Sequence, residues 1–225
     1  MSLRDSLSSH TLYSPVVIKA KPWRKLDFTT SNAELSTLDL TNTEAFSTYV
    51  FSALLENSWY VGVGGYDEHR VIYRRSAHFD GSAGDERCIH LGIDIWTDAD
   101  TPVFAPLPGV VHSLAFNEGF ADYGPTLILR HELDGLVFHT LYGHLTLASL
   151  QGKSENDRIE AGERIAAIGN YPENGHWPPH LHFQLITDMG DYRGDYPGVA
   201  SLADRGSYLA NCPDPNLILR ITELM

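Results

Sequence analysis

Only two of the 225 residues are cysteines, Cys88 and Cys212, which is too few to staple a chain of this length with a disulfide framework. Positive charge is also scarce: 16 Lys and Arg stand against 29 Asp and Glu, for a net charge of −13. That balance argues against nucleic acid and anionic membrane surfaces as partners, since both are held through basic patches. No apolar run approaches the ~18 residues of a membrane-spanning helix. The first ten residues, MSLRDSLSSH, lack the apolar core and cleavage site of a secretory leader. Together these absences lead to the expectation of a cytoplasmic protein. Two catalytic signatures are missing as well. Gly62-Val63-Gly64-Gly65 lacks the Gly-Lys-Ser/Thr of a phosphate loop, and His131-Glu132 begins an H-E-x-x-H pattern that Gly135 interrupts.

What the sequence does have is alternation. In Cys88–Trp96, Ile89, Leu91, Ile93 and Ile95 fall on one parity, and His90, Gly92 and Asp94 on the other. Such a pattern predicts a half-buried strand with an imidazole and a carboxylate on its polar face. Gly92 between them leaves room for a metal ion. Pro179–Leu185 repeats the pattern, with His180 and His182 on one face and Leu181, Phe183 and Leu185 on the other. Imidazole nitrogens and carboxylate oxygens are the donors that zinc accepts in tetrahedral geometry. Between the two stretches lies Tyr142-Gly143-His144-Leu145, in which Tyr142 and His144 are expected to share a strand face.

These motifs resemble those of the M23 family of zinc metallopeptidases, the LytM and lysostaphin type. The segments Thr101–Pro106, Gly109–Val111, Ala161–Ile165 and Ile168-Gly169 are similar to that family's connecting strands and turns. The resemblance covers residues 89–186. It implies a mainly β, antiparallel sheet or sandwich domain of LytM type with one Zn2+ per chain. By motif position the zinc ligands are His90, Asp94 and His182, and a fourth position is left to a water that the zinc activates. His144 and His180 are then the catalytic pair, one helping to deprotonate the water and the other stabilising the tetrahedral intermediate or protonating the leaving amine. The implied substrate is a glycine- or D-amino-acid-containing peptide of the peptidoglycan type. The chain departs from the family pattern at Gly175-His176-Trp177-Pro178-Pro179, where a Gly/Ser/Thr-rich loop ending in Gly-Pro-His is usual. This variant is similar to M23-like modules found fused to aminotransferases. It points to Asn174 and Trp177, with Tyr142, as substrate contacts on a narrower rim. Two other readings stand beside the peptidase: an intracellular metallohydrolase of a small amide or soluble peptide, and a catalytically silent binding module on the same fold.

The remaining chain divides into an N-terminal extension (1–40), the domain (41–187) and a tail packed on it (188–225). Thr41 and Glu44 form a capping-box pattern that predicts a helix from about 42 to 56. Val16–Ile18 and residues 66–75 read as strands, Gly62–Gly65 as a bend and Asp80–Asp85 as a loop. The charges of 66–75 read as a solvated face, with Arg70, Arg74 and Arg75 also placed to meet an anionic substrate. Strands are expected at about 101–105, 109–116, 125–131 and 136–142, with Asp134-Gly135 turning the last hairpin. His10, His69, His78, His112, His131, His139 and His176 are expected to be non-ligands, and Cys88 a buried structural thiol.

Overall fold

A computed structural model describes residues 2–18, 21–80 and 85–225. In chain order the elements are α1 (Leu3–Ser9), β1 (Trp23–Lys25), α2 (Thr43–Thr48), β2 (Val61–Gly64), β3 (Arg87–His90), β4 (Ile93–Trp96), β5 (Pro102–Phe104) and β6 (Gly109–Asn117). They continue with β7 (Gly124–Leu133), β8 (Leu136–Gly143), β9 (Arg158–Ile159), β10 (Arg164–Ala167), β11 (His180–Ile186), β12 (Val199–Ser201), α3 (Arg205–Asn211) and α4 (Asn216–Leu219). The fold is mainly β, and no helix among the described residues is long and apolar enough to cross a membrane.

One eight-stranded sheet, in the order β1-β2-β4-β11-β8-β7-β6-β9, organises the chain. All its neighbours are antiparallel except the β1–β2 pair. Its long hairpin, β7–β8, closes through Asp134 and Gly135, both at positive φ. Side-chain alternation gives the sheet two buried faces. On the first, Ile93, Ile95, Leu127, Leu129, Tyr142, Leu181, Phe183 and Leu185 pack with Val103 and Ile165 of the separate β5–β10 pair. On the second lie two further clusters. One joins Trp96 and Trp177 to Leu26, Phe28, Leu35 and Phe46, and the other joins Ile128, Leu141 and Ile186 to Ile89, Leu91 and Cys212.

Several expectations change here. Residues 88–96 form two strands, not one: β3 pairs with β12, and the chain turns at Leu91-Gly92 before β4 enters the main sheet. Ile89 and Leu91 therefore pack in a different cluster from Ile93 and Ile95. Of Gly62–Gly65, expected as a bend, Gly62, Val63 and Gly64 belong to β2, hydrogen-bonded between β1 and β4. A Cβ at Gly62 would strike Leu26 and Trp96, so the glycine lets those side chains cross the strand. Residues 66–75 are not a strand: Asp67 is at positive φ and Ile72–Arg75 form a 3-10 turn. Arg70 and Arg75 are buried, so this segment is no solvated face. Val16 and Val17 are buried but lie in a bend.

The helix after residue 40 begins one residue later than the capping box predicts. Asn42 is its N-cap, accepting from the Ala45 N–H, while Thr41 donates its hydroxyl to Asp39. The helix continues as a π-turn over Tyr49–Leu54. The division at residue 40 is not a break in packing, because β1 extends the sheet and Leu26, Phe28 and Leu35 share a core with Trp96. Cys88 and Cys212 are free and buried. Of the Asp80–Asp85 loop, residues 81–84 lie outside the described residues.

Candidate metal centre

Register places the site. His182 on β11 stands opposite Asp94 on β4 and opposite Gly143 on β8, so three adjacent strands converge at one level on the second face of the sheet. His90, at the end of β3, reaches the same point from the side. His90 Nε2 lies 3.0 Å from His182 Nδ1, and Asp94 Oδ1 lies 3.2 Å and 3.1 Å from those two nitrogens. Three ligands at about 2.0–2.1 Å in tetrahedral array stand about 3.3 Å apart, so the triangle fits a zinc-sized ion. Among the described residues these three form the group that could hold a metal ion, and all are buried.

The outer hydrogen bonds set which nitrogen is free. A carbonyl oxygen only accepts, so His90 must donate Nδ1–H to Gly65 O at 3.0 Å, leaving Nε2 as a lone-pair donor toward the centre. Gln184 donates its amide to Pro197 O and to Cys212 Sγ, so its Oε1 accepts the Nε2–H of His182 at 2.9 Å. His182 Nδ1 is thereby free. Asp94 divides its oxygens: Oδ1 faces the histidines, and Oδ2 accepts from Arg70 Nη1.

Gly92 does not leave the gap for the ion, as its position between His90 and Asp94 suggests. The space is taken by the ring of His182, since a Cβ there would lie 2.6 Å from its Cε1. Gly143 similarly admits Tyr123, whose ring a Cβ would meet at 2.5 Å and whose hydroxyl is 3.3 Å from His182 Nε2.

His144 and His180 stand beside the triangle with ring centroids 4.3 Å apart. His144 donates Nδ1–H to Asn174 O at 2.9 Å and His180 donates Nδ1–H to Pro178 O at 2.8 Å, so each keeps a free Nε2 acceptor. His180 Nε2 is 4.0 Å from Asp94 Oδ1, and its ring stacks on Trp96 at 3.9 Å. Burial lowers the pKa of His180 to about 4 and that of His144 well below its usual range. Both are neutral at pH 7, the state in which an imidazole can take a proton. Burial pushes the Asp94 carboxyl up, but His90 and Arg70 beside it outweigh this and hold it well below the carboxylate range.

Of the expected substrate contacts, Trp177 lines the cavity above the triangle. Tyr142 and Asn174 do not. Alternation sends Tyr142 to the opposite face, its ring on Phe183. His144 reaches the site because its φ is +62°, a left-handed turn that breaks alternation after Gly143. Asn174 is fully buried inside the loop, donating to Gly169 O and Trp177 O and accepting from the Trp177 N–H. Sequence reasoning missed Tyr73, Phe79 and Tyr123 on the cavity wall, and Asp122 and Asp195 with them. Tyr73 and Phe79 come from short 3-10 turns, the first inside the segment read as a strand, and the others from loops. His139, expected to face away from the site, lies on the second sheet face with Leu141, but against His112 and off the cavity wall. His78 is on that wall, outside the ligand triangle.

Residues 88–193 match the model of "Peptidase family M23". A curated relative from Haemophilus influenzae, an "Uncharacterized metalloprotease", is 35% identical over 134 residues, which is 60% of this chain and 26% of that protein. The chain thus spans about a quarter of the relative's length. Among solved structures, the catalytic domain of lysostaphin from Staphylococcus simulans is 24% identical, with 60% of this chain and 81% of that one covered at a TM-score of 0.39. LytU is 26% identical, with 65% and 85% covered at a TM-score of 0.38.

Proposed function

Because residues 88–193 match the model of peptidase family M23, we propose that the chain is a zinc-dependent amide hydrolase acting on short peptides. The observation that carries this reading is the His90–Asp94–His182 triangle with two neutral histidines beside it, each oriented by a backbone carbonyl. A divalent ion held in that triangle supplies Lewis acidity, polarising a carbonyl and bringing the pKa of water from 15.7 toward ~7.

The protein's own groups do the rest. His144 Nε2 and His180 Nε2 are the available proton acceptors, since their other nitrogens are committed to Asn174 and Pro178. One accepts the proton of the attacking water at its Nε2, and that proton, passed on directly or through the second histidine, is the one delivered to the oxyanion or the leaving amine. Each histidine is held in one tautomer and one ring orientation, so little reorganisation is needed at the moment of reaction. Trp96, stacked on His180, and Trp177 keep bulk water from the pair.

The substrate follows from access. His90, Asp94, His144, His180 and His182 are each no more than 5% exposed. They sit under a cavity of about 130 Å³ walled by Tyr73, Phe79, Tyr123 and Trp177. A half-open cavity of this size, with the five polar groups at its buried floor, favours a soluble peptide or small amide over a cross-linked polymer. The scissile bond is assigned to the glycine- or D-amino-acid-containing kind on the family resemblance.

The test is release of primary amines by zinc-loaded protein from soluble glycine- and D-amino-acid-containing peptides and from intact peptidoglycan. The expected result is release from the soluble peptides, abolished by chelation, restored by zinc, and reduced at least 100-fold in His144→Ala. Faster release from the intact polymer would overturn the small-substrate assignment. Absence of turnover with either in folded, zinc-loaded protein would replace the enzyme reading with a binding module.

A further inference from the structure

We infer that Arg70 is a positioning residue of the metal centre. Its guanidinium fixes Asp94 so that one carboxylate oxygen is presented to the metal and the other is withheld. The inference rests on the metal-centre reading above and concerns a residue outside the segment that matches the family.

The turn Gly65–Arg70 forms a bracket around the ligands. Its backbone is fastened to β3 by Asp67 N–H to His90 O at 2.9 Å, His90 N–H to Glu68 O at 3.0 Å and Arg70 N–H to Cys88 O at 2.9 Å. From this bracket Gly65 O orients His90, and Arg70 Nη1 binds Asp94 Oδ2. Arg70 is itself fixed, because its Nε donates to Glu68 Oε2 at 2.7 Å and its side chain is 1% exposed. Two acceptors in different directions suit a planar fork and not a single ammonium. A cation buried next to a metal site would be retained against its desolvation cost only where both carboxylates pair with it. With Oδ2 occupied, Oδ1 alone points into the triangle.

Removing a nearby positive charge by itself would tighten metal binding. Loss of positioning would loosen it, so the sign separates the two effects. The experiment measures zinc affinity by competition with a chromogenic chelator, and the visible absorption of the cobalt-loaded protein, in wild type, Arg70→Met, Arg70→Lys and His90→Ala. Arg70→Met is expected to bind zinc about 10–100-fold more weakly. Its cobalt bands should weaken as the freed carboxylate oxygen raises the coordination number. Arg70→Lys, keeping the charge but not the fork, should fall between. Wild-type or tighter affinity with an unchanged cobalt spectrum in folded Arg70→Met overturns the inference. If that variant does not fold, the same result in Arg70→Lys overturns it. Full zinc binding in His90→Ala would instead overturn the ligand assignment, and the role of Arg70 with it.

Discussion

A methyl group at position 92 would lie 2.6 Å from Cε1 of His182 and 2.8 Å from the Phe183 carbonyl oxygen. One neighbour is backbone and cannot swing aside, so Gly92→Ala must displace β11 or the imidazole. Overpacking of this kind costs about 1–3 kcal/mol. The expected outcome is a lower melting temperature without zinc and a smaller rise on adding it, since a displaced His182 binds less well. A zinc-induced rise equal to wild type would show that the ring is not crowded as described. At this scale the sequence was informative where ligands sit on strands. Asp94, His180 and His182 were legible because period-two alternation sorts polar from apolar side chains, whereas His90 reaches them from a separate strand that the single alternating run did not show. Tyr142 was misplaced by the same rule, because the positive φ of His144 breaks it and strand parity carries no sign of that. Arg70 stood out only as a contact for an anionic substrate, and its pairing with Asp94 had no signal, since only the folded turn brings the two together.

The loop before β11 is the element that shapes the site. Asn174 ties it together through Gly169 O, Trp177 O and the Trp177 N–H, while its own carbonyl holds His144. Asn174→Ala strands buried groups that Asn174 now satisfies, at about 2–3 kcal/mol. The expected outcome is reduced turnover with zinc content unchanged, because His144 loses its orientation and the triangle does not. Loss of zinc together with activity would mean that the loop supports the ligands directly. The unusual composition of this loop marked it out in the sequence, but the composition did not say that Trp177 faces the cavity and Asn174 does not. The hairpin β7–β8 was fully legible, with Asp-Gly at its turn. The 66–75 segment was not, because a charged run reads as solvated unless its partners are known, and Glu68 and Asp94 are partners only in three dimensions.

Across the whole molecule, burial of neutral histidines ties stability to pH. Burial lowers His131 and His139 to about 4, and neither belongs to the ligand triangle. Unfolded, each titrates near 6.5. The unfolded chain therefore binds more protons as pH falls below 6.5, and stability is lost through the window from 6.5 down to about 4. Each such histidine contributes a slope of up to about 1.4 kcal/mol per pH unit. Urea unfolding of metal-free protein should show a steep fall in stability between pH 6.5 and 4.5, and a flat profile there would contradict it. The N-terminal 40 residues belong to this same molecule-wide packing. They read as an extension because β1 is three residues long and its neighbours lack periodicity.

The most direct measurement is the zinc content of purified protein after loading and desalting, in wild type and in His90→Ala. The triangle of His90, Asp94 and His182 predicts one zinc per chain in wild type and almost none in the variant. A folded His90→Ala protein that keeps its full zinc would contradict the metal centre on which the proposed hydrolysis depends.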